Sequence, residues 1–398
     1  MELKRRTYPN SQNMRNNIRK LFPILLIAFI PFGYFAQLSI DAQIRPRSEF
    51  RNGFNTPALK DSASAFFTNQ RTRLTFNHKT KFLESRVSIQ DIRVWGSTSQ
   101  LNSSDNYLAI HEAWGKVIIN STSDLKVGRQ EIKYDNERIF GNVGWAQQGR
   151  KHDALLYNMS GKFTLNIGVA FNQVSEALSG TYYSIPNNYK SLQFIRFAQS
   201  REKYNFSLYA VNVGNQADTS ANLNNHEQTL GGYSQFRPLE SISITAEGYY
   251  QMGKTKSFER KEAFFASLEI AKYLKDKYCF TLGSTILSGT SANSSSNGSF
   301  NPLFGTHHKF YGHMDYFYVG NSHGQKGLID SYIGFSAFKN KKMSAWSSGI
   351  KTRLQWIWKT VGQRLLLQVE GLWIACLLVS LLLHLVLLTL LIQYHPIP

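Results

Sequence analysis

Apolar and polar residues alternate one by one over most of the chain after about residue 37. In the segment 163–172, Phe, Leu, Ile, Val and Phe occupy the odd positions, and Thr, Asn, Gly, Ala and Asn occupy the even ones. The same period recurs around Leu208 and Ile244, and it begins with Leu38 and Ile40. A period of two predicts β-strands that each have one apolar and one polar face.

Short turns and long polar stretches separate these predicted strands. Ser160-Gly161 and Lys275-Asp276 have turn chemistry, whereas 215–225 and 289–300 are long and polar. Short turns at one end and long loops at the other are typical of outer-membrane barrels, and we count about fourteen to sixteen strands. We therefore expect an all-β fold, an antiparallel transmembrane β-barrel of the outer-membrane type. A soluble β-sandwich or β-helix also alternates and remains an alternative.

Aromatic residues favour the membrane interpretation, because Phe, Trp and Tyr make up 14% of the chain. Amphipathic rings concentrate where a barrel meets the membrane interface. Several aromatic residues lie near the ends of predicted strands and are expected to form such a girdle: Tyr182, Tyr183, Tyr249, Tyr250, Tyr311, Tyr316, Phe317 and Tyr318.

The N-terminus predicts export. Arg15, Arg19 and Lys20 precede an apolar run, 21–35, that ends at the small residue Ala36. This pattern is typical of a secretory signal peptide, which we assign to 1–36, with a retained membrane anchor as the alternative. Export argues against nucleic acid as a partner.

The C-terminus conflicts with this picture. The segment 372–392 consists almost entirely of Leu, Val and Ile, and its length predicts a transmembrane helix. Such a helix would hold the chain in the inner membrane. Alternation also fades after residue 345, so we assign 37–345 to the barrel and 346–398 to an aberrant hydrophobic C-terminus, for which a frameshift is one hypothesis. Translation of the other reading frames of the gene tests this hypothesis.

The formal net charge of +19 predicts an anionic partner. Many arginines fall on polar faces, and a charge facing lipid at the midplane would cost about 2–4 kcal/mol. We therefore expect a lumen lined by Arg45, Arg47, Arg71, Arg73, Arg86 and Arg93, in which rings of arginine attract anions. Alternatively, these charges only pair with nearby acidic residues across the inside of the wall: Glu84, Asp91, Glu112, Glu131, Asp135 and Glu137.

Two positions break the simple alternation. Ile92 and Val94 fall in phase with Arg86, which predicts a β-bulge or a strand end near Asp91. Arg129 shares its parity with the apolar residues around Val127, which places it on the outside unless the strand has already left the membrane.

Several sequence blocks resemble the alginate-export outer-membrane porin family. They are QIRPRSEFR from Gln43, NQRTRL from Asn69, SIQDIRVWG from Ser88, HEAWGK from His111 and LKVGRQEIKYDNERIFGNVGWAQQGRKHDALLY from Leu125. The similarity extends from about Gln37 to Phe338. Family members end in closing strands with an aromatic last residue, whereas this chain ends in Pro-Ile-Pro.

This resemblance implies a monomeric barrel in the outer membrane of a Gram-negative bacterium. Its arginine-lined constriction would pass uronate polysaccharide or a related solute. By match to the longest block, Arg129, Asp135, Glu137 and Arg138 would lie in or near the constriction.

Motifs for other chemistry are weak. The stretch GYYQMGKT from Gly248 matches a phosphate-binding loop, but its preceding segment alternates and no further βα units surround it. His111-Glu112 and His152-Asp153 lack metal-ligand spacing, and the two cysteines fit neither a disulfide framework nor a zinc site. We expect no cofactor, no metal and no enzymatic activity.

The expected function is a channel for anionic or sugar-like solutes, with outer-membrane lipid and an anionic polysaccharide or oligosaccharide as partners. The alternatives are a carbohydrate-binding adhesion protein of the outer membrane and a barrel enzyme acting on lipid or polysaccharide.

Overall fold

The computed structural model describes residues 37–54, 56–183, 185–217, 224–275, 277–291, 293–311, 315, 326–338, 347–358 and 364–370. The strands are β1 (Gln37–Arg51), β2 (Gly53–Phe54), β3 (Thr56–Pro57), β4 (Ala65–Lys79), β5 (Leu83–Val94), β6 (Leu108–Ile118), β7 (Ser123–Gln130), β8 (His152–Ser160), β9 (Thr164–Phe171), β10 (Ser191–Ser200), β11 (Tyr204–Gln216), β12 (Asn224–Leu239), β13 (Ile242–Lys254), β14 (Arg260–Leu274), β15 (Tyr278–Leu287), β16 (Ser296–Asn297), β17 (Gly327–Phe338), β18 (Ser347–Trp358) and β19 (Arg364–Glu370). A single 3-10 turn, His307–Lys309, interrupts the described part of the connection between β16 and β17.

Seventeen of these strands form one sheet. From β4 to β15 each strand pairs antiparallel with the next strand along the chain, and the same ladder continues from β17 to β19. Strand β1 pairs with β4 across the small β2–β3 hairpin, and β15 pairs with β17 across the two-residue β16. Neighbours in sequence are thus neighbours in the sheet, as in an up-and-down meander.

The two ends of the sheet differ as the sequence predicts. Connections such as 80–82, 161–163 and 201–203 lie at one end and are short. The connections 131–151 and 288–326 lie at the other end and are long. Since outer-membrane barrels have short periplasmic turns and long extracellular loops, the long-loop end is the extracellular one.

The two faces of the sheet also differ. Large apolar side chains on one face are exposed, including Ile44, Leu155, Val169 and Leu208. A soluble protein would not leave such a band in water, whereas lipid requires it. The faces predicted for 163–172 are confirmed, because Asn166 is buried on the face opposite Val169.

Three expectations from the sequence need correction. Tyr183, Tyr249 and Tyr311 are buried inside, not placed at an interface, because each packs or bonds within the molecule. Strands β18 and β19 continue the ladder beyond residue 345, where the barrel was expected to end. Of the two alternatives near Asp91, a bulge is absent from β5, which instead ends at Val94; the irregularity lies in β6, where His111 is the extra residue opposite Ser88 and Ile89.

The predicted signal peptide 1–36, the predicted helix 372–392 and the aromatic residues 316–318 lie outside the described residues. Within the described part of the chain, no helix has the length and apolarity needed to cross a membrane.

Candidate functional site: a loop folded into the barrel

The connection from β7 to β8, residues 131–151, folds against the inner face of the sheet, and we call it the β7–β8 loop. Arg45 of β1 donates from Nη1 to Gly144 O at 2.8 Å, from Nη2 to Ala146 O at 2.8 Å, and from Nε to Gln147 Oε1 at 3.0 Å. Arg71 of β4 donates from Nη1 to Gln147 O at 3.1 Å. These two arginines therefore fasten the loop to the first strands of the ladder.

The same loop is fastened to strands far along the ladder. Arg138 faces Glu247 of β13, with Nη2–Oε1 at 3.3 Å and Nε–Oε2 at 3.4 Å, and both side chains are buried. Asp135 accepts from Arg196 Nη2 of β10 at 2.6 Å and from Ser207 Oγ of β11 at 2.7 Å. Because one loop contacts the inner faces of β1, β4, β10, β11 and β13, the sheet must wrap around it.

An apolar cluster packs the β7–β8 loop against the wall. The ring of Phe140 lies 4.7 Å from the ring of Phe194 on β10, 5.6 Å from that of Phe304 and 6.5 Å from that of Tyr209. Gly168 on the neighbouring strand makes room for this packing, since a Cβ there would overlap the Phe194 ring. Burial of Phe140 inside the barrel removes the loop from solvent and fixes its depth.

A second loop, the described residues 298–311 between β16 and β17, packs on the first, and we call it the β16–β17 loop. Gly141 N donates to Phe304 O at 2.8 Å, and Phe304 N donates to Ile139 O at 3.0 Å. Thr306 donates from N to Glu137 O at 2.9 Å and from Oγ1 to Glu137 Oε2 at 2.8 Å. The two loops are therefore packed together on the inner face of the sheet.

Electrostatics of the loops follow from their burial. His307 is buried beside Arg150 and Arg138, and desolvation lowers its pKa to about 3, so the ring is neutral. Burial alone would raise the pKa of Glu131, but hydrogen bonds from His111 at 2.7 Å and Asn142 at 2.8 Å hold it below its usual range. Glu131 therefore stays ionised at the base of the loop.

Several predicted pore residues do face inward, but most have partners. Arg73 donates to Gln90 Oε1 at 2.7 Å and lies 3.9 Å from Glu131. Arg86 pairs with Glu112 at 3.1 Å. Arg47 pairs with Glu49 at 2.7 Å. For these three arginines, the expected pairing with acidic residues describes the structure.

Arg45 and Arg71 are different. Their hydrogen-bond partners are amide and carbonyl oxygens of Gln43, Gly144, Ala146 and Gln147. Among the residues that the structure describes, neither guanidinium forms an ion pair with a carboxylate. Their charges are therefore not cancelled by a direct partner.

Two predicted pore residues lie on the outer face. Arg129 occupies the row of Val87 and Ala113, and its guanidinium bonds Asp153 at 2.8 and 2.9 Å. Arg93 shares its parity with Val87 and bonds Asp91 at the strand end. The alternation around Arg129 already indicated that this residue lies outside. For Arg93 the prediction from the sequence was wrong, because the apolar residue Ile92 occupies an inward position.

The motifs with other chemistry are used structurally. Glu137 bonds Thr306, while Asp135 bonds the wall residues Arg196 and Ser207. The GYYQMGKT stretch lies in and just after the antiparallel strand β13, with Tyr249 inward and Tyr250 outward. Among the described residues, no group of three or more His, Cys, Asp or Glu side chains could hold a metal ion.

Among solved structures, the similarity to OccAB4 agrees with this architecture. OccAB4 of Acinetobacter baumannii aligns with a TM-score of 0.54 at 11% identity, covering 83% of this chain and 84% of that chain. The outer membrane channel DcaP of A. baumannii aligns at 0.47 and 12% identity, covering 84% and 95%. An anion-selective porin from Comamonas acidovorans aligns at 0.46 and 11% identity, covering 84% and 94%. At such identities the OccAB4 similarity shows the fold alone.

The sheet with its exposed apolar face and enclosed loops defines an outer-membrane β-barrel of the porin class. The chain belongs to the alginate export family, whose pattern matches residues 36–329, and the resemblance drawn from the sequence is confirmed. Its location is accordingly the outer membrane of a Gram-negative bacterium. Among curated proteins, no match was found.

Sequence reasoning missed the partners of the loop. Glu247, Arg196 and Thr306 bond it from positions distant in sequence, and Trp145 lies on it exposed. One signal was available, because the alternation stops over 131–150.

Proposed function

We propose that the barrel is a channel that passes anionic, sugar-like solutes such as uronate polysaccharide past the β7–β8 loop. The single observation that carries this proposal is the setting of Arg45 and Arg71. Both guanidiniums bond only neutral oxygens among the described residues, so each leaves a positive charge at the constriction. In a low-dielectric wall such charges raise the local concentration of anions.

The other inward arginines divide into two roles. Arg138 is fully used by Glu247 and by Tyr311, whose hydroxyl accepts from Nη1 at 3.1 Å, so it holds the loop. Arg47 and Arg86 are ion-paired yet have side chains 33% and 39% exposed, so a passing carboxylate can exchange with their partners. Guanidinium groups suit this exchange because they bind carboxylates in two-pronged geometry.

The weakness of these contacts also suits transport through a channel. A channel must attract its solute but release it again, which favours several exchangeable contacts over one tight site. Arg73, 3.9 Å from Glu131, and Arg86 offer such contacts along the inner wall. We propose a monomeric channel that needs no cofactor, in which 1–36 is the export signal.

Planar-bilayer recording tests this function. The refolded full-length chain should give discrete conductance steps that a short oligogalacturonate blocks from the extracellular side. A neutral galactose oligomer of the same length should block less. An adhesion protein or an enzyme would give no steps, and steps that neither oligomer blocks would exclude the sugar-like solute.

A further inference from the structure

Trp145 presents an aromatic surface on the β7–β8 loop. Its side chain is 38% exposed although the ring is stacked on that of His308, with centroids 4.0 Å apart and planes 23° apart. The His308 ring is itself oriented by Asp315, at 2.8 Å from Nδ1 to Oδ1. The indole is therefore held in place by a residue of the second loop.

Arg47 contacts the backbone of Trp145. Its Nη1 donates to the carbonyl oxygen of Trp145 at 2.9 Å, while Nη2 pairs with Glu49 Oε1 at 2.7 Å. Arg51 also holds Glu49, with Nε and Nη2 at 2.9 and 2.6 Å from Oε2. Two arginines thus share one carboxylate, and the group carries a net positive charge.

This sharing makes the Arg47 contact exchangeable. If an incoming carboxylate takes Nη2 of Arg47, Glu49 keeps its two hydrogen bonds from Arg51 and is not left alone. Arg45 offers no such exchange, since its nitrogens are occupied by the loop. Of the two arginines that bond the backbone around Trp145, Arg47 is therefore the one with an exchangeable contact.

We propose that Trp145 and Arg47 form a subsite for one acidic sugar unit. The apolar C–H face of a pyranose packs on the indole, and the carboxylate of the same unit pairs with Arg47. A flat aromatic ring suits this purpose because it offers a large rigid contact area with a polar edge. The proposal rests on the proposed function, and it identifies the place where the solute would first contact the protein.

The energy of such a subsite fits a channel. An aromatic stacking contact contributes about 0.5–1.5 kcal/mol beyond simple burial, which is about a three- to ten-fold effect on affinity. A contact of this size retains a sugar briefly and still lets it move on.

Single-channel block of the full-length protein tests the subsite, with a short oligogalacturonate and a neutral galactose oligomer as probes. Trp145→Ala should weaken the block by both oligomers about three- to ten-fold, because both lose the stacking surface. Trp145→Phe should retain most of the block. Arg47→Gln should weaken block by the acidic oligomer alone. The matched control is Trp95→Ala, because Trp95 is also an exposed tryptophan but bonds Gln70 of β4 on the outer side.

The outcomes separate the subsite from the channel. If wild type and Trp145→Ala are blocked equally, the subsite is wrong and the channel stands. If the wild type conducts but neither oligomer blocks it, subsite and solute class both fail. If Trp145→Ala does not migrate as the compact folded form in unheated gels, Trp145→Leu replaces it, since Leu keeps apolar bulk without a flat ring; unchanged block in Trp145→Leu likewise overturns the proposal.

Discussion

Arg138 and Glu247 form a buried ion pair that joins the β7–β8 loop to strand β13. Their side chains are 5% and 2% exposed, and the guanidinium carbon of Arg138 also lies 3.5 Å from the centre of the Phe310 ring. Coulombic attraction to Glu247 raises the pKa of Arg138 against the opposing effect of burial, so the arginine stays charged. A pair in this setting fixes the loop only while both members are present.

Removal of one member should therefore release the loop. Glu247→Ala leaves Arg138 buried and unpaired, at a cost of about 3–5 kcal/mol. We expect faster amide hydrogen exchange across 131–151 and larger, noisier conductance steps. The matched control is Glu262→Ala, which breaks the exposed Arg260–Glu262 pair of 2.6 Å and should cost about 0–1 kcal/mol. Equal amide hydrogen exchange in Glu247→Ala and wild type would contradict the role of this ion pair in holding the loop.

A pair of arginines tests which face of the sheet governs selectivity. Arg86 faces inward and Arg129 faces outward, and each pairs with one carboxylate. Arg86→Gln leaves Glu112 uncompensated inside and should shift ion selectivity toward cations. Arg129→Gln removes the same charge from the outer face and should leave selectivity unchanged. Reversal potentials in a KCl gradient measure both; equal shifts would remove the distinction between the two faces.

The faces of the strands could be predicted from the sequence, whereas the loop contacts could not. Alternation is a local property, so the inward position of Arg71 and the outward position of Val169 follow from their neighbours. Arg138 and Glu247, by contrast, are 109 residues apart, and Arg45 and Gln147 are 102 apart. The alternation of residues along one strand cannot show which distant wall residue contacts a loop.

One local signal was also misleading. Ile92 is apolar at an inward position because it lies near the end of its strand, in register with Arg71. The sequence therefore predicts that Arg93 faces the lumen, whereas the strand register places it on the outer face. Similarly, the aromatic ring of Tyr249 packs against Phe265 inside the barrel. Composition alone cannot distinguish such an interior ring from one in an interfacial girdle.

Acid should loosen the two loops. The docked His307 has a pKa of about 3, below the ordinary 6.5, so the released loop binds more protons between these values. Docking is therefore fully stable above pH 6.5 and loses stability as the pH falls toward 3. The ionised Glu131 acts in the same direction, since its pKa is lowered by hydrogen bonds.

We expect noisier, larger conductance at pH 5 than at pH 7.5. His307→Asn should reduce this pH response, because it removes the neutral ring whose protonation opposes docking. A response of full size in His307→Asn would assign the effect to other groups.

Close packing of the two loops leaves no room at Gly305. A Cβ there would overlap the carbonyl oxygen of Arg138, whereas a Cβ at Gly115 would meet nothing within 4 Å. Gly305→Ala should separate the β16–β17 loop from the β7–β8 loop and raise protease sensitivity near Phe304. Gly115→Ala, on a strand, should leave digestion unchanged. If both variants digest like the wild type, the loops do not depend on this contact.

On the proposed function, Arg45 and Arg71, bonded only to neutral oxygens among the described residues, set a positive potential at the constriction. The most direct measurement is the reversal potential of single channels under a KCl gradient. We predict that the wild type and Arg45→Lys/Arg71→Lys favour chloride, and that Arg45→Gln/Arg71→Gln loses this preference. A wild type that favours potassium, or a glutamine variant that keeps the full preference for chloride, would contradict the account.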